Sequence, residues 1–189
     1  MKPIKLIVLS ALSVGFGVGA AFVAAPLFHE HAALAQTQWA YEYQSLDQMV
    51  ADADAVVLGK VVNTQASRVV PVSGGNALLP FTYVDVEVID ALKGDLAGIV
   101  TFEQTGGRIN EQETWLVGEG GPYARGSRVL LFLKEQGDSG IYIVSHPKGR
   151  FEVAGERLLA ARPDDKVAAA LHGLTVGEAK AFIAAFQAR

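Results

Sequence analysis

The stretch from Gly121 to Val153, GPYARGSRVLLFLKEQGDSGIYIVSHPKGRFEV, decides the fold because apolar segments alternate in it with strong turn signals. Arg128 to Lys134 is largely apolar, which is typical of a strand buried on both faces. Ile141 to Ser145 and Arg150 to Val153 follow, separated by turns rich in Gly, Asp, Ser and Pro. The three segments predict a β-meander, and none of them carries an obvious catalytic residue.

The residues that precede this stretch predict a short helix and then strands. Ser45 and Gln48 have the spacing of a capping box, which predicts a helix over about Leu46–Ala53. Ala55 to Val62 is apolar and β-branched, as expected of a strand. Gly59, in the middle of that strand, indicates a bulge or a sharp bend.

Two further strands are predicted between this one and Gly121. Phe81 to Leu92 is the clearest, because valines alternate with acidic residues along it, and Gly98 to Gln104 is the other. We expect the side chain of Phe132, in the later apolar strand, to fill the core from one face. Its neighbours Leu131 and Leu133 would then cover the other face beneath a helix.

The C-terminal part of the sequence has a helical pattern. Asp164 or Asp165 can cap a helix that ends at Gly173. Thr175 and Glu178 form a second capping box, and an apolar stripe follows at helical spacing. We expect this stripe to dock on the protein's own β domain rather than in the groove of a partner.

The N-terminus has the features of an export signal. Lys2 and Lys5 precede a charge-free apolar run from Leu6 to Ala25, and Ala33-Leu34-Ala35 predicts a cleavage site. Residues 1–35 are therefore predicted to be an export signal peptide. An uncleaved membrane anchor is the alternative, since the run is long enough to span a bilayer.

The predicted organisation follows from these boundaries. Residues 36–160 form the β domain, and residues 161–189 form a helical extension docked on it. The protein is expected to be exported, whether to the periplasm, the cell surface or the exterior. It would touch a membrane only through its N-terminal segment, and only if that segment is not cleaved.

Composition narrows the choice of partner. Without residues 1–35 the chain keeps 14 basic and 19 acidic residues, a net charge of −5, which argues against nucleic acid. The sequence contains no cysteine. That excludes disulfides, thiolate metal sites and a cysteine-linked lipid anchor. We expect the partner to be a protein or a glycan of the cell envelope or the exterior.

Motifs of catalysis are missing from the sequence. His146 and His172 are 26 residues apart, and no carboxylate or second histidine is spaced to complete a metal site, so no metal or cofactor is predicted. The chain has neither a G-x-S-x-G motif nor a cysteine nucleophile. We therefore predict no catalytic residues and no enzyme. A hydrolase site assembled only in space, from His146 with Asp138 or a loop acid, is an alternative.

The least regular stretch, Thr105 to Gly121, is predicted to be a long loop and the working surface of the protein, because long loops in compact domains are often functional. The ligand-binding residues predicted there are Arg108, Glu111, Glu113 and Trp115.

Four motifs in order carry a family resemblance: ADAVVLGKVV, YVDVEVIDALKG, GPYARGSRVLLFL and GIYIVSHPKGRFEV. This order, over roughly Ser45–Val153, resembles poorly characterised bacterial exported proteins whose fold is similar to the netrin module. That module is the OB-type barrel of the tissue inhibitors of metalloproteinases. The resemblance implies a mainly β protein, a five-stranded OB-like Greek-key barrel with a short N-terminal helix and C-terminal helices.

The inhibitors' mechanism does not transfer with the fold. In that family an N-terminal cysteine chelates the zinc of the protease, whereas the mature chain here would begin at Gln36 and has no cysteine. A non-catalytic exported binding module is thus the predicted function. Protease inhibition by the N-terminus is a further alternative, and it would need the aromatic side chains of Trp39 and Tyr41 to be exposed.

Overall fold

The computed structural model describes residues 42–72, 77–110, 112–115, 121–144 and 147–188. The chain divides into two units, residues 1–38 and 39–189, and the first lies wholly outside the described residues. The predicted export signal therefore has no structural account. Strands make up 51% of the described residues and helices 22%, which confirms the prediction of a mainly β protein.

The strands and helices are numbered here in chain order. The strands are β1 (Ala55–Pro71), β2 (Leu78–Lys93), β3 (Ile99–Ile109), β4 (Gln112–Trp115), β5 (Arg128–Glu135), β6 (Tyr142–Val144), β7 (Arg150–Ala154) and β8 (Arg157–Ala160). The helices are α1 (Leu46–Asp52), α2 (Lys166–Ala169) and α3 (Val176–Gln187). Short 3-10 turns lie at Gly137–Ser139 and Pro147–Gly149.

Five strands close into a ring. β1 pairs with β2, β2 with β3, β5 with β6, and β1 again with β5, all antiparallel. β3 and β6 complete the ring by pairing in parallel. Within the described residues β4 pairs with β3 alone, while β7 and β8 continue the sheet outward from β5.

Gly59 allows β1 to pair with β2 and β5 at the same time. The register of the β1–β2 pair shifts between Leu58 and Gly59, so the bulge predicted at this glycine is confirmed. A Cβ atom on Gly59 would overlap the side chain of Val86 and lie 2.9 Å from the carbonyl oxygen of Glu87. The two strands approach so closely here that only glycine fits.

The β1–β2 hairpin is longer than the sequence pattern predicted, since β1 continues to Pro71 instead of ending at Val62. The outer half of β1 is polar and exposed, so it lacks the alternation of apolar residues by which a strand is predicted from sequence. An ion pair joins this outer half of β1 to β3, since the Arg68 guanidinium lies 2.6 Å from the buried carboxylate of Glu103. Ser67 Oγ donates a second hydrogen bond to that carboxylate, at 2.7 Å.

The predicted meander is wrong in its third strand. β6 pairs with β5 as expected, from Leu133 to Glu135. β7, however, pairs with another part of β5, from Val129 to Leu131, and not with β6. β1 occupies one edge of β5. β6 and β7 therefore lie one after the other along the opposite edge of β5. The 3-10 turn at Pro147–Gly149 carries the chain from one position to the next.

The stretch Thr105–Gly121 is not the long loop that its composition predicted. β3 extends through it to Ile109 and then pairs with β4 in a tight hairpin, with Ile109 opposite Gln112. Asn110 adopts a positive φ of 56° in the turn, a conformation in which Asn is among the favoured residues. Residues 116–120 lie outside the described part of the chain.

Two apolar clusters lie on opposite faces of the ring strands. The inner cluster fills the ring with side chains from all five of its strands and from two residues between strands, Leu96 before β3 and Tyr123 before β5. Its members are Ala55, Val57, Val61, Val84, Val86, Val88, Leu96, Val100, Phe102, Tyr123, Val129, Leu131, Leu133, Tyr142 and Val144. The outer cluster lies between β1, β5, β7, β8 and the helices. The central strands are therefore buried on both faces, which explains their unbroken apolar sequences.

Phe132 is fully buried, as predicted, but it faces the opposite way from the prediction. It belongs to the outer cluster beneath the helices, where its ring centroid lies 6.2 Å from that of Phe151. Leu131 and Leu133 point into the ring instead. The large ring of Phe132 fits between the sheet and α1 because Gly149 has no side chain there. A Cβ atom on Gly149 would lie 2.9 Å from the Cβ of Phe132.

Helix α1 has a defined partner at each end. Ser45 Oγ caps its N-terminus, as predicted, by accepting from the Gln48 backbone N–H at 3.3 Å, and Gln48 Oε1 reaches back to the backbone N–H of Gln44. At the C-terminus, Lys93 Nζ donates to three carbonyl oxygens, those of Val50, Ala51 and Ala53, at 2.5–2.9 Å. This cation satisfies acceptors that the helix itself leaves without donors.

The C-terminal helices share the outer cluster with the sheet. Three residues of this part of the chain are buried in the outer cluster against the ring strands. They are Val167 of α2, Leu171 of the turn after it and Ile183 of α3. The capping box of Thr175 and Glu178 is present in α3 as predicted. Helix α2, the first of the two C-terminal helices, is shorter than predicted. It ends at Ala169, and turns follow up to Gly173.

A largely buried ion pair ties the N-terminal part of the β domain to α2. Lys148 Nζ lies 3.0 Å from Asp165 Oδ2 and donates to the Tyr43 backbone carbonyl at 3.3 Å. Asp165 also caps α2 by accepting from the backbone N–H groups of Val167 and Ala168. Burial acts to raise the pKa of Asp165, but the hydrogen bonds from Lys148 and the helix outweigh it, so the pKa is lowered.

Replacing Phe132 with alanine should lower the free energy of unfolding by about 3–5 kcal/mol, because it empties a fully buried site between sheet and helices. Chemical denaturation measures this change. Phe182→Ala is the matched control, since Phe182 is among the exposed apolar residues and should cost much less. Equal losses in the two variants would contradict the placement of Phe132 in the outer cluster.

Asp165 should make the protein less stable in acid. Its folded pKa lies below its unfolded value near 3.8, so its contribution is complete above that value and is lost as pH falls through the folded pKa. Asp165→Asn should therefore destabilise the protein at neutral pH and flatten the fall in unfolding free energy below about pH 4. Denaturation across pH measures both effects. An unchanged slope in the variant would show that the carboxylate is not paired.

Candidate functional site

The candidate site lies at one end of the ring, where its lining changes from apolar to polar. Val84 and Phe102 point into the ring from neighbouring strands and are fully buried. The next inward positions along the same strands are Thr82 and Gln104, which lie directly opposite each other. These two residues are among the few buried polar ones, and they form the floor of a cleft.

The cleft has a volume of about 250 Å³. It is bounded by the outer halves of β1 and β2, by the β3–β4 hairpin and by the segment before β5. Its lining residues are Thr64, Gln65, Ala66, Thr82, Gln104, Gly107, Arg108, Glu113, Trp115, Pro122 and Tyr123. A concave site with aromatic walls and a few polar groups is the usual form of a small-ligand pocket.

Hydrogen bonds fix the floor of the cleft. Thr82 Oγ1 donates to the carbonyl oxygen of Gly106 at 2.8 Å. Gln104 Nε2 donates to the carbonyl oxygen of Gly121 at 2.8 Å, and Arg150 NH1 donates to the same oxygen at 2.7 Å. The carbonyl of Gly121 thus determines which way the Gln104 amide points, because the opposite orientation would place two oxygens together.

Two buried polar atoms at the cleft have no hydrogen-bond partner among the described residues. They are Gln104 Oε1, an acceptor, and Trp115 Nε1, a donor. Gln104 is only 5% exposed. Buried side-chain polar atoms in native proteins nearly always have a partner, so both atoms call for an explanation.

The aromatic walls are held by close packing. The ring of Tyr123 meets Phe102 edge to face, with centroids 5.0 Å apart, and the Arg150 guanidinium lies 3.6 Å over its face. Trp115 lies over Gly106, where a Cβ atom would come within 2.6 Å of the indole Cε3. Gly106 also has a positive φ of 110°, so both its space and its conformation require glycine.

Three of the four predicted ligand-binding residues line this cleft together, namely Arg108, Glu113 and Trp115. Arg108 NH2 lies 2.6 Å from Glu113 Oε1, in an exposed ion pair at the rim. The hydrogen bond from Arg108 is the main cause that lowers the pKa of Glu113. The Trp115 indole also contributes, although its N–H makes no hydrogen bond of good geometry. Glu111, the fourth predicted residue, lies outside the described residues.

Gln104, Thr82 and Tyr123 were not predicted to belong to the site. The sequence does contain a signal for Gln104 and Thr82. Alternate residues of β2 and β3 point inward and are apolar up to Val84 and Phe102, and the next inward residues are Thr82 and Gln104. A polar residue at an inward position marks the point where a strand leaves the core. Tyr123 carried no such signal, since it belongs to a segment without regular alternation.

The other groups considered for chemistry are accounted for where the structure describes them. No cluster of three or more possible metal ligands occurs among the described residues. His172 Nδ1 accepts from the Ala160 backbone N–H at 3.1 Å, and Asp138 lies in an exposed 3-10 turn. The proposed hydrolase residue His146, and Trp39 and Tyr41 of the inhibitor alternative, lie outside the described residues.

Comparisons with other proteins leave the site to be interpreted from its own geometry. Neither a protein-family model nor a curated protein sequence matches the chain. None of the helices in the described part of the chain combines the length and the apolar character needed to cross a membrane.

Replacing Arg108 with alanine should raise the pKa of Glu113 toward its ordinary value of 4.5, because the variant lacks the hydrogen bond that lowers it. Carboxyl NMR titration measures the shift. The melting temperature should hardly change, since exposed ion pairs contribute little to stability. Arg128→Ala, which breaks the exposed pair with Glu156, is the control and should leave Glu113 unaffected. A Glu113 pKa that stays low without Arg108 would contradict the pairing.

Proposed function

We propose that this protein is an exported, non-catalytic binding module that holds part of a protein or glycan of the cell envelope or exterior in the cleft. The observation that carries the proposal is the pair of buried, unpartnered atoms, Gln104 Oε1 and Trp115 Nε1, at an open concave site. A bound group would supply the missing partners. The export signal predicted for residues 1–35 supports the location.

The proposed fold is an OB-like Greek-key barrel of the netrin type. In its support, five strands form the ring, and β6 lies between β3 and β5 rather than beside β5 alone. An OB barrel also has five strands, in a Greek-key arrangement. The long β1–β2 hairpin and the β3–β4 hairpin project from one end and bound the cleft. Barrel mouths of this kind are common places for ligand sites.

The non-catalytic part of the proposal rests on the chemistry of the lining. Glu113 is the one carboxylate that the described residues contribute to the lining. It is exposed and has a lowered pKa, so at neutral pH it is a charged partner of Arg108 and a weak proton donor. Among the described residues, the lining holds no histidine, lysine or serine. These residues suit recognition by shape and hydrogen bonding better than proton transfer or nucleophilic attack.

Filling the cleft should abolish binding without unfolding the protein. Ala66 lines the cleft from an exposed position on β1, so Ala66→Trp should block it while leaving both apolar clusters intact. Retention of the full-length protein on immobilised envelope extract measures binding, and we expect at least about a tenfold loss of affinity. Val69→Trp, also exposed on β1 but away from the cleft, is the matched control and should bind normally.

Two results would contradict the proposed function. Unchanged binding by Ala66→Trp would place the interaction elsewhere on the surface. Turnover of a substrate that a single substitution in the cleft abolishes would instead make the protein an enzyme.

A further inference from the structure

We infer that the cleft recognises the acetamido group of an N-acetylated amino sugar. This inference rests on the proposed binding function and names the chemistry of its ligand. The acetamido N–H would donate to Gln104 Oε1, and the acetamido carbonyl would accept from Trp115 Nε1. The starting point is that the unpartnered atoms are one acceptor and one donor, at the same cleft.

Placement on the sheet brings the side chains of Gln104 and Trp115 to one face. Trp115 lies directly opposite Gly106, and its ring covers that glycine. Gln104 is two positions before Gly106 on β3, so its side chain lies on the same face of the strand. A secondary amide carries one N–H and one C=O in a rigid planar group, which satisfies both atoms with a single ligand group.

The protein side of the cleft favours a neutral group at the floor. Gln104 and Trp115 are themselves uncharged, and Thr82 Oγ1 already donates to the Gly106 carbonyl. The charged pair, Arg108 with Glu113, lies at the exposed rim. An amide at the floor would exchange its hydrogen bonds to water for bonds to Gln104 and Trp115, and burying an amide costs far less than burying a charged group.

The shape of the cleft favours a group that branches from a sugar over the middle of a peptide chain. Below the floor the ring interior is filled by Phe102 and the neighbouring apolar side chains, so the cleft is closed at its inner end. A peptide bond within a chain needs two exits, but an acetamido group needs only one. Pro122 and the two aromatic side chains, Trp115 and Tyr123, offer apolar surface to its methyl group and to the sugar ring.

The rim supplies what the rest of a sugar needs. Arg108 offers N–H donors and Glu113 offers carboxylate acceptors, both exposed beside the cleft. Sugar hydroxyls are donors and acceptors at once, so they can bind to either member of the pair. The floor would therefore select the acetamido group, and the rim would bind the hydroxyls around it.

Nuclear magnetic resonance of the indole N–H tests this inference directly. The sequence has two tryptophans, Trp39 and Trp115, and comparison with Trp115→Phe assigns their indole signals. The ¹⁵N-labelled protein, expressed from its full sequence, is titrated with the trimer of N-acetylglucosamine. Cellotriose, which carries a hydroxyl in place of each acetamido group, is the matched control ligand.

We expect the trimer to move the Trp115 indole proton downfield in a saturable way. Cellotriose should bind about tenfold more weakly or worse, because a hydroxyl is shorter than an acetamido group and cannot pair with both buried atoms at once. Trp115→Phe should lose about tenfold in affinity for the trimer while remaining folded, since it removes the indole donor and keeps an aromatic ring over Gly106. Tyr83→Phe, on the outward face of β2, removes a hydroxyl away from the cleft and should bind normally.

Other outcomes overturn the inference in distinguishable ways. Equal binding of cellotriose, or no shift of the Trp115 signal with the trimer, would refute recognition of the acetamido group. A shift with N-acetyl-alanine-methylamide but not with the trimer would make a peptide the ligand. If the trimer fails but Ala66→Trp still abolishes binding to envelope extract, the inference fails and the proposed function stands. If Ala66→Trp binds the extract normally and the trimer fails, both fail.

Discussion

Pairing between β1 and β5 is the interaction on which the rest of the structure depends. It closes the ring, and it also assigns alternate residues of both strands to the two apolar clusters. Val57 and Leu131 point into the ring, while Val56 and Phe132 face the helices. β1 also pairs with β2 on its other edge, and the close approach of β2 at Gly59 allows both pairings at the same residues of β1. The helices have a surface to pack on only because this pairing exposes one continuous apolar face.

The cleft is a consequence of where the ring ends and the hairpins continue. β2 and β3 carry valine and phenylalanine inward as far as the interior is closed, and Thr82 and Gln104 follow as soon as it opens. The same strands thus contribute both the core and the site. Glycine at positions 106 and 107 lets Trp115 and Thr82 lie against the β3 backbone, so the polar floor is packed as tightly as an interior.

Sequence patterns predicted the elements that obey simple periodicity. The helix caps at Ser45 and Thr175 and the central strands were predictable because each depends on neighbours in sequence, and the bulge was predictable because a glycine inside a strand marks such a site. Errors arose where distant contacts decide the structure. Thr105–Gly121 was expected to be a loop, but Gly106 and Gly107 lie in a strand, where Trp115 packs against the first and Thr82 against the second. The direction of Phe132 could not be predicted either, since both faces of β5 are apolar.

The candidate site was predicted in part for a similar reason. Arg108, Glu113 and Trp115 stood out as charged and aromatic residues in an irregular stretch, and they do lie together. Gln104, which supplies the unpartnered acceptor, looked like an ordinary polar residue at a strand end. Its importance comes from its burial in the folded protein and from the carbonyl of Gly121, which accepts from its amide nitrogen. Such constraints appear only once the chain is folded.

The ring closure has a consequence for how the chain reaches this structure. Val57 lies opposite Leu131, 74 positions further along the chain, so the closing contacts can form only after a large loss of chain entropy. Hairpins such as β1–β2 and β7–β8 join residues close in sequence and can form early. Folding should therefore be slow in its last step. Until then the apolar edges of β1 and β5 stay open to other chains, and the protein is most prone to aggregate just before it becomes most stable.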